Sequence, residues 1–216
     1  MRTVQEIYAT YRLMPFLQRH QLRVAAVAEL IGRQCRTSFD AKGVVLACLF
    51  HDMGNIIKSE LGYFPESIQP EGLAYWEGVK ADYIQTYGPD EHHATLEIAQ
   101  ELGLSKTVRF YIEGFGFSKM SGVARGNSFE LKLCEYADMR VSPHGVVSVE
   151  ERLREGSARY AQKQQSSGFS VEKFNELVSA LRDVETEVFA SCDLKPEDIT
   201  EGATLDIQGD LKEMKM

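Results

Sequence analysis

The sequence predicts an all-α fold, a single helical bundle with an additional C-terminal helical segment. Apolar residues recur at intervals of three and four along most of the 216 residues, and the strict alternation typical of strands is almost absent. Asp or Ser precedes several of these segments and Gly or Pro follows them, as expected at helix ends. We assign residues 1–145 to the principal domain and residues 146–216 to C-terminal helices and a tail packed on it.

The first strong helical pattern begins just after Pro15, a residue suited to the first turn of a helix. One face of this helix carries Leu17, His20, Val24, Val27 and Ile31. His20 is therefore expected on a buried stripe.

The second helix starts at Asp40, a suitable N-cap, and ends in the segment CLFHDMGNII, residues 48–57. His51 shares the face of Val44 and Ala47 before Gly54 loosens the backbone. His51 and Asp52 thus follow one of the most apolar runs in the chain. Ionisable groups buried without a partner are costly, so this pair calls for a physical reason.

Three further helices are predicted before residue 116, each ended by Gly or by an aromatic residue before Gly. They span residues 76–87, 90–103 and 105–115. In the middle one His92 fits the inward face better than His93. The stretch GFSKMSGVARGN, residues 116–127, has three glycines and two basic residues and is predicted to be a flexible connection that could cover a site.

The next helix is expected from a cap at Ser128 to an end at Pro143. Its apolar face carries Leu131, Cys134, Asp138 and Val141. Asp138 is thus, after His20 and the pair His51 and Asp52, a further ionisable residue predicted to lie on or next to an apolar face.

The last third predicts packing or interface helices. Ser148 and Glu151 form a capping box for a helix through about Gln162, and an amphipathic helix follows over 171–189, whose exposed side suggests a homodimer. The segment ATLDIQGDL, residues 203–211, is expected to be a short strand or a loose tail.

Composition limits the partners and the compartment. The net charge of −8 opposes binding to a nucleic-acid polymer, and the longest apolar run, GVVLACLF, is far too short to cross a membrane. The start MRTVQEIYATYR lacks the apolar stretch of a secretory signal. The four cysteines form no CxxC pair and are expected to be reduced core thiols of a cytoplasmic protein.

The predicted burial of these ionisable residues can be explained if they are considered together. Taken singly, each would more commonly be a hydrogen-bonded core residue. Together His20, His51, Asp52 and Asp138 come from three helices, and a shared divalent cation would remove the penalty of burying them. Two imidazoles and two carboxylates suit Mn, Fe, Co, Ni or Zn, and also Mg when a substrate supplies further oxygens.

The segments RHQLRVAAVAELI, LACLFHDMGN and EYADMRVSP resemble, in this order, the HD-domain superfamily of metal-dependent phosphohydrolases. The resemblance runs from about Tyr11 to about Pro143. It implies an HD-domain-like helical bundle with His20, His51, Asp52 and Asp138 as metal ligands. The histidines of EHH, His92 and His93, resemble a family element that supplies an additional ligand or a substrate contact.

One departure from the family pattern concerns the substrate. Many members read HDxGK, whereas this chain reads HDMGN, with Asn55 in place of the lysine. Neutralisation of a phosphate is then expected from Lys58, one helical turn later, or from Arg23, one turn from His20.

The resemblance and the ligand set together imply hydrolysis of a phosphate ester, monoester or diester, of a small molecule such as a nucleotide. In this hypothesis Asp52 both binds the cation and holds the attacking water, and Arg23 or Lys58 contacts the phosphate. The alternative is a module that binds a nucleotide or signalling ligand without turnover. A third reading is an interaction protein that uses its long C-terminal helix and holds a purely structural metal.

Overall fold

The computed structural model describes residues 1–62, 68–157 and 170–216. It is all-α with one small two-stranded sheet in the described ranges, which confirms the predicted fold class. The helices are α1 (Val4–Thr10), α2 (Pro15–Gly32), α3 (Ala41–Phe50), α4 (Leu73–Tyr87), α5 (Glu91–Glu101), α6 (Lys106–Gly114), α7 (Met120–Arg125), α8 (Phe129–Asp138), α9 (149–157), α10 (Val171–Ala190) and α11 (Glu201–Glu213). The strands are β1 (Val141–Ser142) and β2 (Gly145–Val146).

Three helices that contact one another, α2, α3 and α8, form the centre of the molecule. Pro15 occupies the first turn of α2, and the apolar stripe predicted for this helix is buried. The side chain of Asp40 caps α3 by accepting the N–H of Gly43 at 2.9 Å. All four candidate ligand positions therefore lie on or directly after these three central helices.

The predicted starts of the following helices are confirmed by their caps. Asp90 accepts the N–H of His93, Ser105 that of Val108, and Ser128 that of Leu131. The capping box of Ser148 and Glu151 is also present, while the predicted end of that helix near Gln162 lies outside the described residues.

The flexible connection predicted over 116–127 is wrong. A short 3-10 turn, Phe117–Lys119, leads directly into α7. Met120 and Val123 are buried and α7 contacts α8 and α10, so packing outweighs the helix-weakening effect of Gly122.

The helix predicted to run to Pro143 ends earlier, at Asp138, and a hairpin follows. Val141 pairs with Val146 and Ser142 with Gly145, whose φ of 150° suits glycine. The buried Arg140 side chain explains this geometry, because its guanidinium donates to the carbonyls of Val147, Pro196 and Ile199 and so binds the hairpin to the C-terminal segment.

The strand or loose tail predicted over 203–211 is also wrong, because this segment belongs to α11. Thr200 caps the helix by accepting the N–H of Ala203. Thr204, Ile207 and Leu211 form a buried stripe, and α11 packs on α2 and α1. The periodicity of this stripe is helical rather than alternating.

The long helix α10 confirms the amphipathic helix predicted over 171–189. Its apolar residues Leu177, Leu181, Val184 and Val188 are buried, and the helix packs on α7 and α8. The apolar face of α10 is thus used inside the molecule, while the homodimer predicted for its exposed side stays a prediction. Within the described ranges no helix combines the length and the apolar character needed to cross a membrane.

Candidate metal centre

The four residues singled out in the sequence are brought together where α2, α3 and α8 meet. Nε2 of His20 lies 3.1 Å from Oδ1 of Asp138 and 3.6 Å from Oδ2 of Asp52. Nε2 of His51 lies 3.6 Å from the same Asp52 oxygen and 3.7 Å from Oδ1 of Asp138. The donor atoms of His20, His51 and Asp52 lie within 4.8 Å of one another. Asp138 adds a fourth group, since its Oδ1 lies within 3.7 Å of Nε2 of both imidazoles.

The imidazole of His51 is oriented for binding a cation through Nε2. Its Nδ1 lies 2.8 Å from the carbonyl oxygen of Cys48, and since a carbonyl only accepts, Nδ1 carries a proton. Nε2 is buried and has no hydrogen-bond partner, because 3.7 Å to Asp138 is too long for a hydrogen bond. A histidine that donates one ring N–H to a carbonyl and leaves the other nitrogen unpaired has the usual arrangement of a metal ligand.

The electrostatics of the cluster favour one added positive charge. Burial lowers the pKa of His51, but the charges of Asp52 and Asp138 outweigh burial and raise it to about 9. Burial raises the pKa of Asp138, yet the contacts with His20 and His51 hold it well below its ordinary value. A bound cation would supply the positive charge that these carboxylates attract.

Asp52 is positioned by a buried amide of α2. The backbone N–H of Asp52 donates to Oε1 of Gln21 at 3.0 Å, and the Gln21 side chain is fully buried. Because Gln21 follows His20 in α2, one helix both contributes a ligand and fixes the turn that carries two more.

The turn after α3 lies directly against the start of α5, which explains the glycine of HDMGN. The N–H of Gly54 donates to Oγ1 of Thr95 at 2.9 Å. A Cβ at Gly54 would lie 2.2 Å from the carbonyl oxygen of Glu91 and 2.9 Å from Cβ of Ala94. Only glycine permits this close approach, so the contact fixes the position of the turn against α5.

The segment that follows α6 packs against the candidate metal centre from another side. The ring of Phe115 stacks on the imidazole of His51, with centroids 4.3 Å apart and planes 17° from parallel. The next residue, Gly116, donates its N–H to the buried carboxyl of Glu135. Burial raises the pKa of Glu135 to about 8, the charge of Asp138 adds to this effect, and the Gly116 N–H opposes it. Oε2 of Glu135 has no hydrogen-bond partner.

The two basic residues expected to contact phosphate are both paired elsewhere. Nε of Arg23 donates to both carboxylate oxygens of Glu201, at 2.9 and 3.1 Å. Nζ of Lys58 lies 3.4 Å from Oε1 of Glu91, and its side chain is exposed. Among the described residues, neither side chain forms a hydrogen bond or an ion pair with His20, His51, Asp52 or Asp138.

The histidines of EHH stand apart from the cluster. In the described part of the chain, the group with metal-binding spacing contains His20, His51 and Asp52 but neither His92 nor His93. His92 is half-buried, and its Nε2 lies 3.4 Å from Nζ of Lys119. Burial lowers the pKa of His92, and the charge of Lys119 lowers it further. His93 is exposed.

Four residues of this region were not singled out in the sequence: Gln21, Phe115, Lys119 and Glu135. A signal existed for two of them, since Gln21 and Glu135 are polar residues within apolar helical segments, beside His20 and one turn before Asp138. Phe115 and Lys119 gave no such signal, because their positions depend on the path of the chain after α6.

Comparisons of the chain with protein-family models, with curated proteins and with solved structures return no match. The resemblance to the HD-domain superfamily therefore stays a prediction that rests on its three segments.

Proposed function

We propose that this protein is a metal-dependent phosphohydrolase that cleaves a phosphate ester of a small molecule, with nucleotides as the first class to test. The observation that carries the proposal is the convergence of two imidazoles and two carboxylates around the buried, unpaired Nε2 of His51. A mixed nitrogen and oxygen donor set suits a divalent transition metal. The order of the residues along the chain agrees with the family resemblance.

The ligands in this proposal are His20, His51, Asp52 and Asp138. A bound divalent cation supplies an activated water at neutral pH and polarises a phosphoryl oxygen. Asp52 and Asp138 are both about one-fifth exposed, but Asp138 lies 3.1 Å from Nε2 of His20 whereas Asp52 lies 3.6 Å from it. We therefore give Asp52, the less engaged carboxylate, the role of accepting a proton from the attacking water. The Cys48 carbonyl and Gln21 hold His51 and Asp52 in place, and Phe115 excludes water from one face of His51.

We assign the phosphate-neutralising role to Lys119 rather than to Arg23 or Lys58. Lys119 lies in the turn that follows Phe115 and Gly116, which line the centre. Its Nζ is held by the carbonyl of Glu113 and by proximity to His92, and its charge lowers the pKa of both His92 and Glu135. Its positive charge therefore reaches Glu135, one helical turn before the ligand Asp138, and could replace the charge that Asn55 does not provide.

The alternative of a non-catalytic ligand-binding module has one observation in its favour. The expected phosphate contacts, Arg23 and Lys58, are already engaged by Glu201 and Glu91. Such a module would bind metal and a phosphorylated ligand tightly but release no phosphate.

The test combines metal analysis with a turnover panel. Purified protein is analysed for bound metal and then assayed for phosphate release from nucleoside mono-, di- and triphosphates and for cleavage of cyclic dinucleotides, with Mn, Mg, Co or Ni. We expect metal-dependent turnover of at least one substrate class, and loss of both bound metal and turnover in His51→Ala and Asp52→Ala. His144→Ala, at an exposed loop histidine, is the matched control and should behave as wild type. Metal binding without turnover of any substrate would favour the binding module, and full activity in Asp52→Ala would exclude the role given to Asp52.

A further inference from the structure

Two cysteines far apart in sequence face each other at the end of the bundle remote from the ligand-bearing turn. Cys35, just after α2, and Cys192, just after α10, form an isolated antiparallel β-bridge. The N–H of Arg36 donates to the carbonyl of Ser191 at 2.8 Å, and the N–H of Asp193 donates to the carbonyl of Gln34 at 3.0 Å. These bonds flank the two cysteines on either side, so the cysteines themselves are a non-hydrogen-bonded pair.

This register brings the two side chains to the same side at short range. Opposed residues in a non-hydrogen-bonded antiparallel pair have Cα atoms about 4.5 Å apart. Disulfides join cysteines whose Cα atoms are about 4.4 to 6.8 Å apart. The thiol of Cys192 lies close enough to hydrogen-bond the thiol of Cys35, and this contact contributes to the raised pKa of Cys35. The two backbone hydrogen bonds fix this register, and Arg36 adds an exposed ion pair of 2.5 Å with Asp193.

We propose that Cys35 and Cys192 are a modification site, a dithiol pair that closes to an intramolecular disulfide in the folded protein. The inference is independent of the proposed function, because neither cysteine takes part in the metal centre. The bond would tie the end of α2 to the end of α10, which already contact each other through the bridge, the Arg36–Asp193 pair and the Arg36 guanidinium that donates to the carbonyl of Ala190.

The chemistry needs an oxidised low-molecular-weight disulfide as the co-reactant. The half-buried Cys35 loses its proton and its thiolate attacks the reagent, forming a mixed disulfide and releasing one reagent thiol. Cys192, whose Sγ lies 3.2 Å from the carbonyl oxygen of Val188, then displaces the second reagent thiol and closes the protein disulfide. Two protein thiols are oxidised while one reagent disulfide is reduced to two thiols. Burial raises the pKa of Cys35 to about 12, with Cys192 adding to the effect, so the first step is slow at neutral pH.

The experiment exposes the native protein to oxidised glutathione at mildly alkaline pH and maps the products by non-reducing peptide mass spectrometry. We expect a Cys35–Cys192 linked peptide and the loss of two of the four free thiols per chain. The oxidised wild-type protein should also unfold at a higher denaturant concentration than the reduced protein, because a cross-link between distant residues restricts the unfolded chain.

The other two cysteines provide an internal control. Cys48 and Cys134 are fully buried in α3 and α8 and should remain free thiols under native conditions. Cys35→Ser, at the more exposed position, should abolish both the linked peptide and the shift in unfolding midpoint. The proposal is overturned if wild-type protein keeps four free thiols, stops at a glutathione adduct on Cys35, or links Cys35 between two chains.

Discussion

At the scale of single residues, the candidate centre depends on supporting groups as much as on ligands. The ligands were recognisable in the sequence because ionisable residues interrupted apolar stripes, as His20 and Asp138 do. The supporting residues were harder to find, since an amide such as Gln21 has no distinctive chemistry until its partner is known. The charge beside the centre, Lys119, was hidden altogether, because it depends on a turn that the glycines made unpredictable.

Gln21→Met should weaken metal binding while preserving the fold. Methionine approximates the volume of glutamine but cannot accept the N–H of Asp52, and loss of such a supporting contact typically lowers metal affinity about 10- to 100-fold. Isothermal titration with Mn²⁺ measures the change. Gln18→Met is the matched control on the same helix, because the Gln18 amide donates to the carbonyl of Leu13 and not to the ligand-bearing turn. Equal affinities in both variants would contradict the role of Gln21.

Lys119→Met should weaken binding of inorganic phosphate to the Mn²⁺-loaded protein roughly 10- to 100-fold, in line with the loss of about 1.5–3 kcal/mol from a charged hydrogen bond. Lys119→Arg should retain part of the affinity, and bound metal should be unchanged in both. Lys106→Met removes the same charge from the exposed start of α6 and serves as the control. If the two methionine variants bind phosphate equally well, Lys119 has no direct role.

At the scale of elements, tight contacts between neighbouring segments hold the ligands in register. The turn after α3 is seated on α5 through Gly54, and α2 is fastened to α11 and the hairpin through Glu201. That carboxylate accepts from Arg23 and also from the N–H of Val146, at 2.8 Å. Arg23, which was expected to contact a substrate, therefore joins α2 to α11 through Glu201.

Gly54→Ala should destabilise the protein by about 2 kcal/mol or more, because the added methyl would overlap the backbone of α5 and force the turn outwards. Asp52 would move with the turn, so metal affinity should fall as well. Urea unfolding and Mn²⁺ titration measure the two effects. Gly78→Ala in α4 is the control. The added Cβ has no atom within 4 Å, so this substitution should stabilise the helix by about 0.5–1 kcal/mol. A Gly54→Ala protein as stable as wild type would show that the turn can move freely.

Arg23→Met and Glu201→Gln should each lower the free energy of unfolding by about 1–2 kcal/mol, and the double variant should lose less than the sum of the two. Metal-dependent turnover, normalised to folded protein, should be little affected. A loss of kcat in Arg23→Met without a loss of stability would restore the substrate role that its position beside His20 had suggested.

The element boundaries that the sequence predicted well were those with a local chemical signal. Asp40, Asp90 and Ser128 cap their helices as expected, because a cap depends on residues three positions apart. The errors at α7 and α11 have a different origin. Their helical state depends on burial against α10 and α2, and such long-range packing overrides the local preferences of glycine and β-branched residues.

At the scale of the whole molecule, the centre joins helices from distant parts of the chain, so metal binding and folding should be linked. At a Mn²⁺ concentration of about 100 times Kd, binding to the folded state alone adds about 2.7 kcal/mol of stability. For a chain of this size that corresponds to a rise in Tm of roughly 5 to 10 °C. Thermal unfolding with and without a chelator measures the difference.

His51→Ala should abolish this metal-dependent rise in Tm, whereas His93→Ala, at an exposed position outside the cluster, should retain it. If none of Mn²⁺, Co²⁺, Ni²⁺ and Zn²⁺ changes the Tm of the wild-type protein, the four groups do not bind these ions.

The spacing of the ligands along the sequence also determines when, during synthesis, the complete metal centre can form. His20 and Asp138 are 118 positions apart (138 minus 20) and lie only 3.1 Å from each other once folded. A ribosome must therefore release α8 before any nascent chain can capture its ion through all four groups. Until then only His20, His51 and Asp52 are available, and a three-ligand set holds an ion less firmly than all four groups together, so binding by the complete centre waits for α8.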